Sequence, residues 1–379
     1  MLALAAAAIW TTVLFLPWRP WSTREFLDAA ASSAEETLDD ITVLIPARDE
    51  AKTIQRTLPA LEVQGRELRI IVVDDRSTDG TAEIARRAGT EDLFVLAGKP
   101  LPPGWSGKLW ALEQGRSHIR TPLTLLLDAD IELEPGILAE LRRAMETKGV
   151  HLVSLMATLR MSSFWERLLL PGFIYFFKTL YPFRLSNSDH SRVAAAAGGC
   201  ILLKTRILNE IGGFGGLRGE LIDDCALARR IKGKGYKTWI GLSHSVLSLR
   251  GYEDLRTIWD MVARTAFTQL RYSGFMLALC TVFMVASFWL PPVGLLIPSV
   301  MAKALSALAL GAMMLSYLPT LKFYGISFLW ALTMPLIGTL YLAMTWTSAV
   351  NHWLGAGSHW KGRDYTKGRI DSDQQKQKV

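Results

Sequence analysis

The feature that most constrains the fold is a regular alternation of short apolar runs with helical stretches between residues 41 and 127. Strand–helix–strand alternation is typical of a parallel sheet whose connecting helices cover both faces. The crossovers are right-handed in nearly all known cases, which favours a doubly wound arrangement. We therefore predict an α/β fold with strands at 41–45, 68–73, 93–96 and 123–127 and with helices that begin near Glu50, Thr81 and Leu109.

Two acidic residues, Asp128 and Asp130, directly follow the last of these predicted strands. In open α/β sheets, ligands bind at the carboxyl ends of the strands. Two carboxylates one residue apart at such a position can hold a divalent cation, Mg²⁺ or Mn²⁺, against phosphate oxygens. The pair therefore indicates a substrate that contains a nucleoside diphosphate. Alone, the same pair also fits a turn or a helix N-cap, so the other motifs decide between these interpretations.

The composition indicates a membrane protein. Half of the 379 residues are hydrophobic, and the chain contains 13 Trp, which membrane interfaces favour. The net charge is +7, but the basic residues form no dense stripe, so anionic lipid and nucleotide phosphates are predicted partners and nucleic acid is not. The three cysteines, Cys200, Cys225 and Cys280, lack C-x-x-C spacing, which disfavours a disulfide framework or zinc site and fits a reducing compartment.

Residues 1–18 are apolar and uncharged, and the basic residues Arg19 and Arg24 follow them. A signal peptide has the opposite order of charge and an Ala-x-Ala-like cleavage site, which is not obvious in this segment. We predict an uncleaved membrane anchor with its N-terminus outside, then a polar linker at 19–40. The domain that follows is predicted to face the cytoplasm.

Residues 162–184 are rich in aromatic and apolar side chains and also carry charges. Pro171-Gly172 is expected to break this run, which is then too short and too charged to span a bilayer. We predict an interfacial helix in the headgroup region, where it would line the path of a lipid acceptor. A core helix is the alternative.

The segment 273–353 is almost wholly apolar, with Lys303 and Lys322 as its only Lys, Arg, Asp or Glu residues. Breaks at Pro291-Pro292 and between Pro319 and Gly325 predict pieces at 274–290, 293–318 and 326–350. The last two pieces are long enough to span a bilayer, and the first is marginal. The basic polar tail at 354–379 favours the cytoplasm, so we predict two full spans and one broken or re-entrant piece. The chain is thus predicted to be a multi-pass protein of a bacterial-type inner membrane.

Polar side chains also follow the first two predicted strands. Pro46 ends the first strand, and Arg48 and Glu50 follow it, where an acid can accept hydrogen bonds from a ribose or a base. After the second strand, Asp74-Asp75 opens a loop into the next helix, in which one Asp can bind the nucleoside while the other holds the loop. We assign Arg48 to the nucleotide-sugar site as well. Plain helix capping is the alternative for the first motif.

Four later motifs place charged or small residues at predicted element ends. Lys108 begins a helix, where a cation suits a diphosphate, although an exposed surface lysine is the alternative. Gly198-Gly199 permits close approach of a ligand or forms a plain turn. Asp223-Asp224 begins an amphipathic helix and offers a candidate general base, or only a cap. Arg271 precedes the apolar region and contacts either phosphate or lipid headgroups.

Taken in this order, the motifs resemble those of the family 2 glycosyltransferases, which have the GT-A fold, a mostly parallel sheet with helices on both faces. The resemblance covers about residues 41–272 and depends on 45–50, 73–80, 128–130, 198–200 and 223–224. The Lys108 motif and the trailing apolar region are similar to the membrane glycosyltransferases named for hopene (hopanoid) biosynthesis.

The resemblance implies roles for individual residues. Pro46, Glu50 and Asp75 would bind the nucleoside, and Asp128 would lie near the ribose or the diphosphate. Asp130 would bind Mg²⁺ or Mn²⁺. Asp224 would be the catalytic base, because it matches the second acid of the family's acidic pair. We place Gly199, Asp223 and Arg271 beside the acceptor or in a loop of the site.

The chain departs from the family's processive synthases, which carry Gln-x-x-Arg-Trp near the end of the domain. Here Gln269-Leu270-Arg271-Tyr272 is one residue shorter and ends in Tyr, which favours single-sugar transfer. We predict inverting transfer of a sugar from a nucleotide sugar, a UDP-sugar, to a lipid acceptor, for which the resemblance implies a hopanoid-related molecule. A polyprenyl-phosphate sugar transferase and a non-catalytic membrane scaffold with a degenerate nucleotide domain are the alternatives.

Overall fold

The structure is a computed structural model, and it describes residues 1–30, 36–88, 92–220, 222–355, 358–360 and 363–365. Its strands are β1 (Ile41–Ala47), β2 (Arg69–Asp74), β3 (Leu93–Ala97), β4 (Leu123–Leu127), β5 (Ile131–Leu133), β6 (Leu152–Thr158), β7 (Cys200–Lys204), β8 (Thr238–Ser248), β9 (Ser358–Trp360) and β10 (Arg363–Tyr365). Its α-helices are α1 (Leu2–Phe15), α2 (Ala51–Glu62), α3 (Thr81–Arg87), α4 (Gly107–Arg116), α5 (Ile137–Thr147), α6 (Phe164–Leu180), α7 (Phe183–Ser186), α8 (Thr205–Glu210), α9 (Asp223–Gly233), α10 (Leu255–Ala263), α11 (Ala266–Gln269), α12 (Gly274–Phe288), α13 (Leu290–Gly294), α14 (Val300–Phe323) and α15 (Met334–Trp353). Two 3-10 helices lie at Gly215–Leu217 and Phe328–Thr333.

The chain forms two compact units. The sheet unit comprises the described residues within Glu25–Arg160 and Leu185–Gly251, together with Trp360 and Arg363–Tyr365. The helical unit comprises Met1–Arg24, Met161–Arg184 and Tyr252–His359. The basic tail predicted at 354–379 lies mostly outside the described residues.

The sheet unit is built on eight strands in the order β3-β2-β1-β4-β7-β6-β8-β5. The four strands predicted from the sequence, β1 to β4, are all present and pair in parallel with one another. β7 is antiparallel to both β4 and β6, and β5 is antiparallel to β8. The sheet is therefore mostly parallel, as predicted, with antiparallel strands in its second half.

Alternate residues of the central strands face two separate apolar clusters. Val43 and Leu125 pack in one cluster with side chains of α2 and α5, whereas Leu44 and Leu126 pack in the other with side chains of α4, α8 and α9. Neighbouring residues of a strand point to opposite faces, so a strand with apolar residues throughout is buried on both sides. Helices consequently cover both faces of the sheet.

The predicted linker at 19–40 differs from the structure in its second half. The backbone N–H of Leu27 donates to the carbonyl of Leu242 in β8 (3.0 Å), and the N–H of Leu242 donates to the carbonyl of Glu25 (2.9 Å). Asp28 accepts from the backbone N–H of His244 (2.6 Å). Leu38 is fully buried in the core. These contacts make 25–30 and 36–40 part of the sheet unit, while 31–35 lies outside the described residues.

The helical unit contains two helices long and apolar enough to cross a membrane, at Val300–Phe323 and Phe328–Trp353. A third candidate is the pair Leu255–Gln269 and Gly274–Phe288, which is bent by 117° at the break between its two helices. The apolar helix α1 has 14 residues. At about 1.5 Å per residue it rises about 21 Å, less than the roughly 30 Å of a hydrocarbon core. The anchor at 1–18 therefore stays a prediction.

The breaks in the apolar C-terminal region fall close to those predicted, since α12 ends at Phe288, just before Pro291-Pro292, and α14 ends at Phe323, between Pro319 and Gly325. Pro291-Pro292 opens the short helix α13, and Pro319 lies inside α14. The first turn of a helix tolerates proline because its N–H groups have no intrahelical acceptor there. The chain also leaves helical structure between α13 and α14, so the long helix of the predicted piece at 293–318 is observed at Val300–Phe323.

The helix α6 is continuous across Pro171-Gly172, so the predicted break there is wrong. Tyr341 donates from its hydroxyl to the carbonyl of Leu169 (2.9 Å), and Tyr175 shares a hydrogen bond with Ser316 (2.9 Å). A Cβ added at Gly172 would lie 2.8 Å from Ile337, so the glycine lets α15 approach closely. One face of α6 thus packs against α14 and α15, as the alternative of a core helix predicts.

We expect Leu125→Ala to lower the free energy of unfolding by about 2–5 kcal/mol, because a buried leucine leaves a cavity that the packed core fills only partly. Leu125 is fully buried in β4. Thermal or urea unfolding of the detergent-purified protein measures the change. Val63→Ala is the control, since Val63 is 44% exposed and its truncation should shift stability by about 0.5 kcal/mol or less. Equal shifts for the two variants would contradict the assignment of β4 to the core.

Candidate active site

The carboxyl ends of β1 and β4 open onto a cleft. The cleft is lined on its polar side by Pro46, Lys108, Asp128, Gly198, Asp223 and Asp224. Its apolar lining consists of Leu109, Leu112, Leu126, Leu127, Ile201, Phe214, Leu217 and Leu227. Motifs that are far apart in the sequence thus meet at one place, at the ends of β1 and β4 and at the first turns of α4 and α9.

Lys108 is the central charge of this cleft. Its ammonium lies 2.7 Å from a carboxylate oxygen of Asp128. Burial opposes the charge, but attraction by Asp128, Asp223 and Asp224 outweighs it and raises the pKa of Lys108 above its ordinary value. Lys108 therefore stays protonated and offers a fixed positive charge at the N-terminus of α4.

Asp224 is held by backbone donors beside Lys108. One of its oxygens accepts from the N–H of Gly198 (2.8 Å) and the other accepts from the N–H of Cys225 (2.7 Å). Burial and the neighbouring Asp223 raise the pKa of Asp224 to about 6, against the lowering effects of Lys108 and of the two N–H donors. A carboxylate with a raised pKa is a stronger base than an ordinary aspartate and is still ionised at neutral pH.

Asp130 forms an ion pair with Arg250. The Nε of Arg250 lies 3.1 Å from a carboxylate oxygen of Asp130, and its Nη2 lies 3.5 Å from Glu50. Burial and repulsion by Asp128 raise the pKa of Asp130 to about 6, although Arg250 lowers it.

Sequence reasoning missed Arg250 because its position depends on strand pairing. Ser248 of β8 pairs with Ile131 of β5, and the N–H of Leu249 donates to the carbonyl of Asp130 (2.8 Å). This antiparallel pairing places Arg250 next to an acid that lies far away in the chain. The only local signal is a basic residue directly after an apolar run.

Asp128 and Asp130 fit a divalent cation of the Mg²⁺ or Mn²⁺ type. The ion pairs with Lys108 and Arg250 each engage one carboxylate oxygen. In the described part of the chain no group of three or more His, Cys, Asp or Glu side chains converges on one point. Hard oxygen ligands suit these cations, which commonly take one or two carboxylates from the protein and complete their shell with substrate phosphates and water.

The loops after β1 and β2 are tied together by hydrogen bonds. The Arg48 guanidinium donates to the carbonyl of Asp75 (2.7 Å). The N–H of Asp49 donates to the hydroxyl of Ser77 (3.0 Å), and the N–H of Thr78 donates to a carboxylate oxygen of Asp49 (2.8 Å). Arg48 thus fixes the loop that contains Asp75.

Of the predicted site residues in the sheet unit, Arg48, Glu50, Asp75, Asp130 and Gly199 are not among the residues that line the cleft. A Cβ added at Gly199 would meet Ile131 (3.1 Å), whereas one added at Gly198 would lie 3.3 Å from both Lys108 and Asp224. Gly198, rather than the predicted Gly199, therefore faces the cleft. Arg271 belongs to the helical unit, where it is exposed in the turn between α11 and α12 with φ of 52°.

A family model described as "Glycosyltransferase like family 2" matches residues 39–266. The chain belongs to this family. This is the family that the motifs predicted.

Curated relatives match shorter stretches of this family 2 chain. A 4,4'-diaponeurosporenoate glycosyltransferase from Staphylococcus haemolyticus is 38% identical over 98 residues, 26% of each chain. An undecaprenyl-phosphate 4-deoxy-4-formamido-L-arabinose transferase from Edwardsiella ictaluri is 29% identical over 140 residues, 35% of this chain and 41% of that protein. The matches thus span about a quarter to two fifths of these relatives.

Among solved structures, a mannosyltransferase from Pyrobaculum calidifontis in complex with GDP-Man and Mn²⁺ has a TM-score of 0.55 at 20% identity. The likeness covers 93% of this chain and 98% of that chain. At this identity the likeness establishes the fold, and the predicted GT-A fold is confirmed.

We expect Lys108→Met to weaken the binding of a nucleoside diphosphate roughly tenfold to hundredfold, because a charge-assisted hydrogen bond contributes about 1.5–3 kcal/mol. Calorimetry with UDP, GDP and dTDP in the presence of Mn²⁺ measures the loss. Lys234→Met is the matched control, since Lys234 lies at the opposite end of α9 from Asp224 and is exposed. Unchanged nucleotide affinity in Lys108→Met would show that this lysine does not contact the diphosphate.

Proposed function

We propose that this protein transfers a sugar from a nucleotide sugar, a UDP-sugar, to a hydroxyl group of a lipid acceptor, with inversion at the anomeric carbon. The observation that carries the proposal is the placement of Asp224, a candidate base, beside Lys108 and Asp128, which are candidate ligands of a diphosphate. The base and the site of the leaving group then share one cleft, as a single displacement requires.

The donor would lie across the carboxyl ends of β1, β2 and β4. Pro46, Glu50 and Asp75 stand in the loops after β1 and β2, where a nucleoside would bind. The ammonium of Lys108, at the first turn of α4, would hold the diphosphate together with the backbone N–H groups of that turn. Asp128 and Asp130 would hold a divalent cation, which supplies positive charge to the departing diphosphate when it is bound.

In the transfer step, the acceptor oxygen would form a bond to the anomeric carbon while the bond from that carbon to the diphosphate breaks. Asp224 would take the hydroxyl proton, and the electron pair of the broken bond would leave with the nucleoside diphosphate. The hydrogen bonds from Gly198 and Cys225 orient the carboxylate for this role. One displacement with one base gives inversion without a covalent sugar intermediate.

The charges of the cleft favour a hydroxyl acceptor over a phosphate acceptor. Among the described residues that line it, Lys108 is the one cation, and it faces the carboxylates Asp128, Asp223 and Asp224. A phosphate that approached Asp224 would be repelled by these acids. A neutral hydroxyl is not repelled in this way. The polyprenyl-phosphate sugar transferase is therefore the second candidate function.

Three observations support a lipid acceptor and a membrane location. The cleft has an apolar wall that includes Phe214 and Leu217. The helical unit contains two helices long and apolar enough to cross a membrane. Both curated relatives are named for lipid-related substrates. We infer a multi-pass protein of a bacterial-type inner membrane with its sheet unit in the cytoplasm, because Arg19 and Arg24 follow the first apolar segment.

We expect Asp224→Asn to lower the rate of sugar transfer by about 10²–10⁴-fold, because the amide cannot accept the proton. Nucleotide binding should stay close to wild type. In the wild type, kcat/KM should fall about tenfold per pH unit below pH 6 and stay level above it, because the pKa of Asp224 is about 6 and only the ionised form is a base. Pre-steady-state transfer with labelled donor across pH 5–8 measures both effects.

Asp189→Asn is the control for this variant, since Asp189 is half exposed and pairs with Lys237 on the surface. It should keep both the rate and the pH profile. Wild-type turnover in Asp224→Asn would exclude Asp224 as the base and leave the family assignment intact.

The acceptor class is tested by incubating detergent-purified protein with labelled donor and either a hydroxylated hopanoid or undecaprenyl phosphate. We expect label on the hydroxylated lipid, in a product that survives mild acid, because a glycosidic bond to carbon-bound oxygen is more stable than a glycosyl phosphate. Asp224→Asn should abolish that product. An acid-labile product formed only with undecaprenyl phosphate would contradict the hydroxyl acceptor and support the second candidate.

A further inference from the structure

The two carboxylates that would hold a divalent cation already have side-chain cations as partners. Lys108 lies 2.7 Å from Asp128, and Arg250 lies 3.1 Å from Asp130. Arg250 also reaches Glu50 at 3.5 Å, so one guanidinium bridges two acids that come from different loops. The side chain of Asp130 is only 13% exposed and that of Glu50 only 14%, so water screens these pairs poorly.

A divalent cation at Asp130 would lie close to the guanidinium of Arg250, which already engages one oxygen of the same carboxylate. A divalent cation and a guanidinium beside the same carboxylate repel each other more strongly than two unit charges would, because the repulsion scales with the product of the charges. Binding of a free cation to Asp130 would therefore have to displace Arg250 or tolerate its charge. An anionic diphosphate changes this balance, because it offers the guanidinium a bidentate partner.

We propose that Arg250 acts as a positioning residue that occupies the cation site at Asp130 in the nucleotide-free protein and moves to the diphosphate when the donor enters with its metal ion. Free Mn²⁺ then binds weakly to the protein alone, and the metal enters as its complex with the nucleotide. Glu50 holds the guanidinium close to the site between turnovers. The movement of Arg250 to the diphosphate rests on the proposed nucleotide-sugar donor.

If Arg250 leaves Asp130 when the donor and its metal ion bind, Arg250→Gln should change two binding affinities in opposite directions. Loss of the competing charge should tighten the binding of Mn²⁺ alone, about tenfold in Kd. Loss of a diphosphate partner should weaken the binding of UDP in the presence of saturating Mn²⁺, also about tenfold. A merely structural role for Arg250 would weaken both, because a distorted site binds neither ligand well.

Electron paramagnetic resonance of free Mn²⁺ measures the first effect in full-length, detergent-purified protein without nucleotide. Calorimetry with UDP measures the second. Arg142→Gln is the matched control, because Arg142 forms a comparably half-buried ion pair with Asp40 (2.9 Å) on another part of the sheet unit. It should change neither affinity. Arg250→Lys keeps the charge and should retain weak binding of Mn²⁺ alone.

Unchanged or weaker binding of Mn²⁺ alone by Arg250→Gln would overturn the proposal, and so would the lack of any detectable Mn²⁺ site in that variant. This outcome is separate from a failure of the proposed function. If no nucleoside diphosphate bound to the wild type, the donor assignment would be lost, whereas the metal-only measurement would still decide whether Arg250 occupies the cation site.

Discussion

The ammonium of Lys108 is the interaction on which the candidate active site depends. Asp128 comes from the end of β4 and Asp223 and Asp224 from the start of α9, and their negative charges repel one another in a poorly hydrated cleft. At an effective dielectric of about 20, each close pair of like charges costs roughly 4 kcal/mol at 4 Å. Lys108, from the first turn of α4, offsets this repulsion and so links three segments that are distant in sequence. The helix dipole of α4 disfavours a cation at its N-terminus, which indicates that the acids and not the helix hold the lysine there.

The mixed sheet explains how the base is positioned. β7 runs antiparallel to β4, and the register pairs Leu127 with Cys200. The residues just before β7 therefore lie beside those just after β4, and the carbonyl of Gly199 accepts from the N–H of Asp128 (3.1 Å). One residue earlier, Gly198 turns its N–H towards Asp224 (2.8 Å). The two residues just before β7 thus hydrogen-bond to the candidate base on one side and to Asp128 on the other.

The sequence predicted those parts of the fold that local patterns determine. The strands β1 to β4, the helices between them and the clustering of Lys108, Asp128 and Asp224 at strand and helix ends all follow from periodicity and from known edges of parallel sheets. Long-range packing decided the rest. The partnership of Arg250 with Asp130 requires the pairing of β8 with β5, and the continuity of α6 through Pro171 requires neighbouring helices that stabilise it. Nothing local distinguishes such a proline from one that ends a helix.

The balance of charge around the site also limits which substrates it accepts. Five carboxylates, those of Glu50, Asp128, Asp130, Asp223 and Asp224, surround two side-chain cations, Lys108 and Arg250. The proposed anionic donor would therefore need counter-charge that these two side chains do not supply in full, and a divalent cation that arrived with the donor would provide it. The acceptor brings no such counter-charge. Under the proposed function, a neutral hydroxyl on an apolar molecule would suit both the acidic side of the cleft and its apolar wall, which includes Leu109, Phe214 and Leu217. An anionic acceptor would suit only the apolar wall.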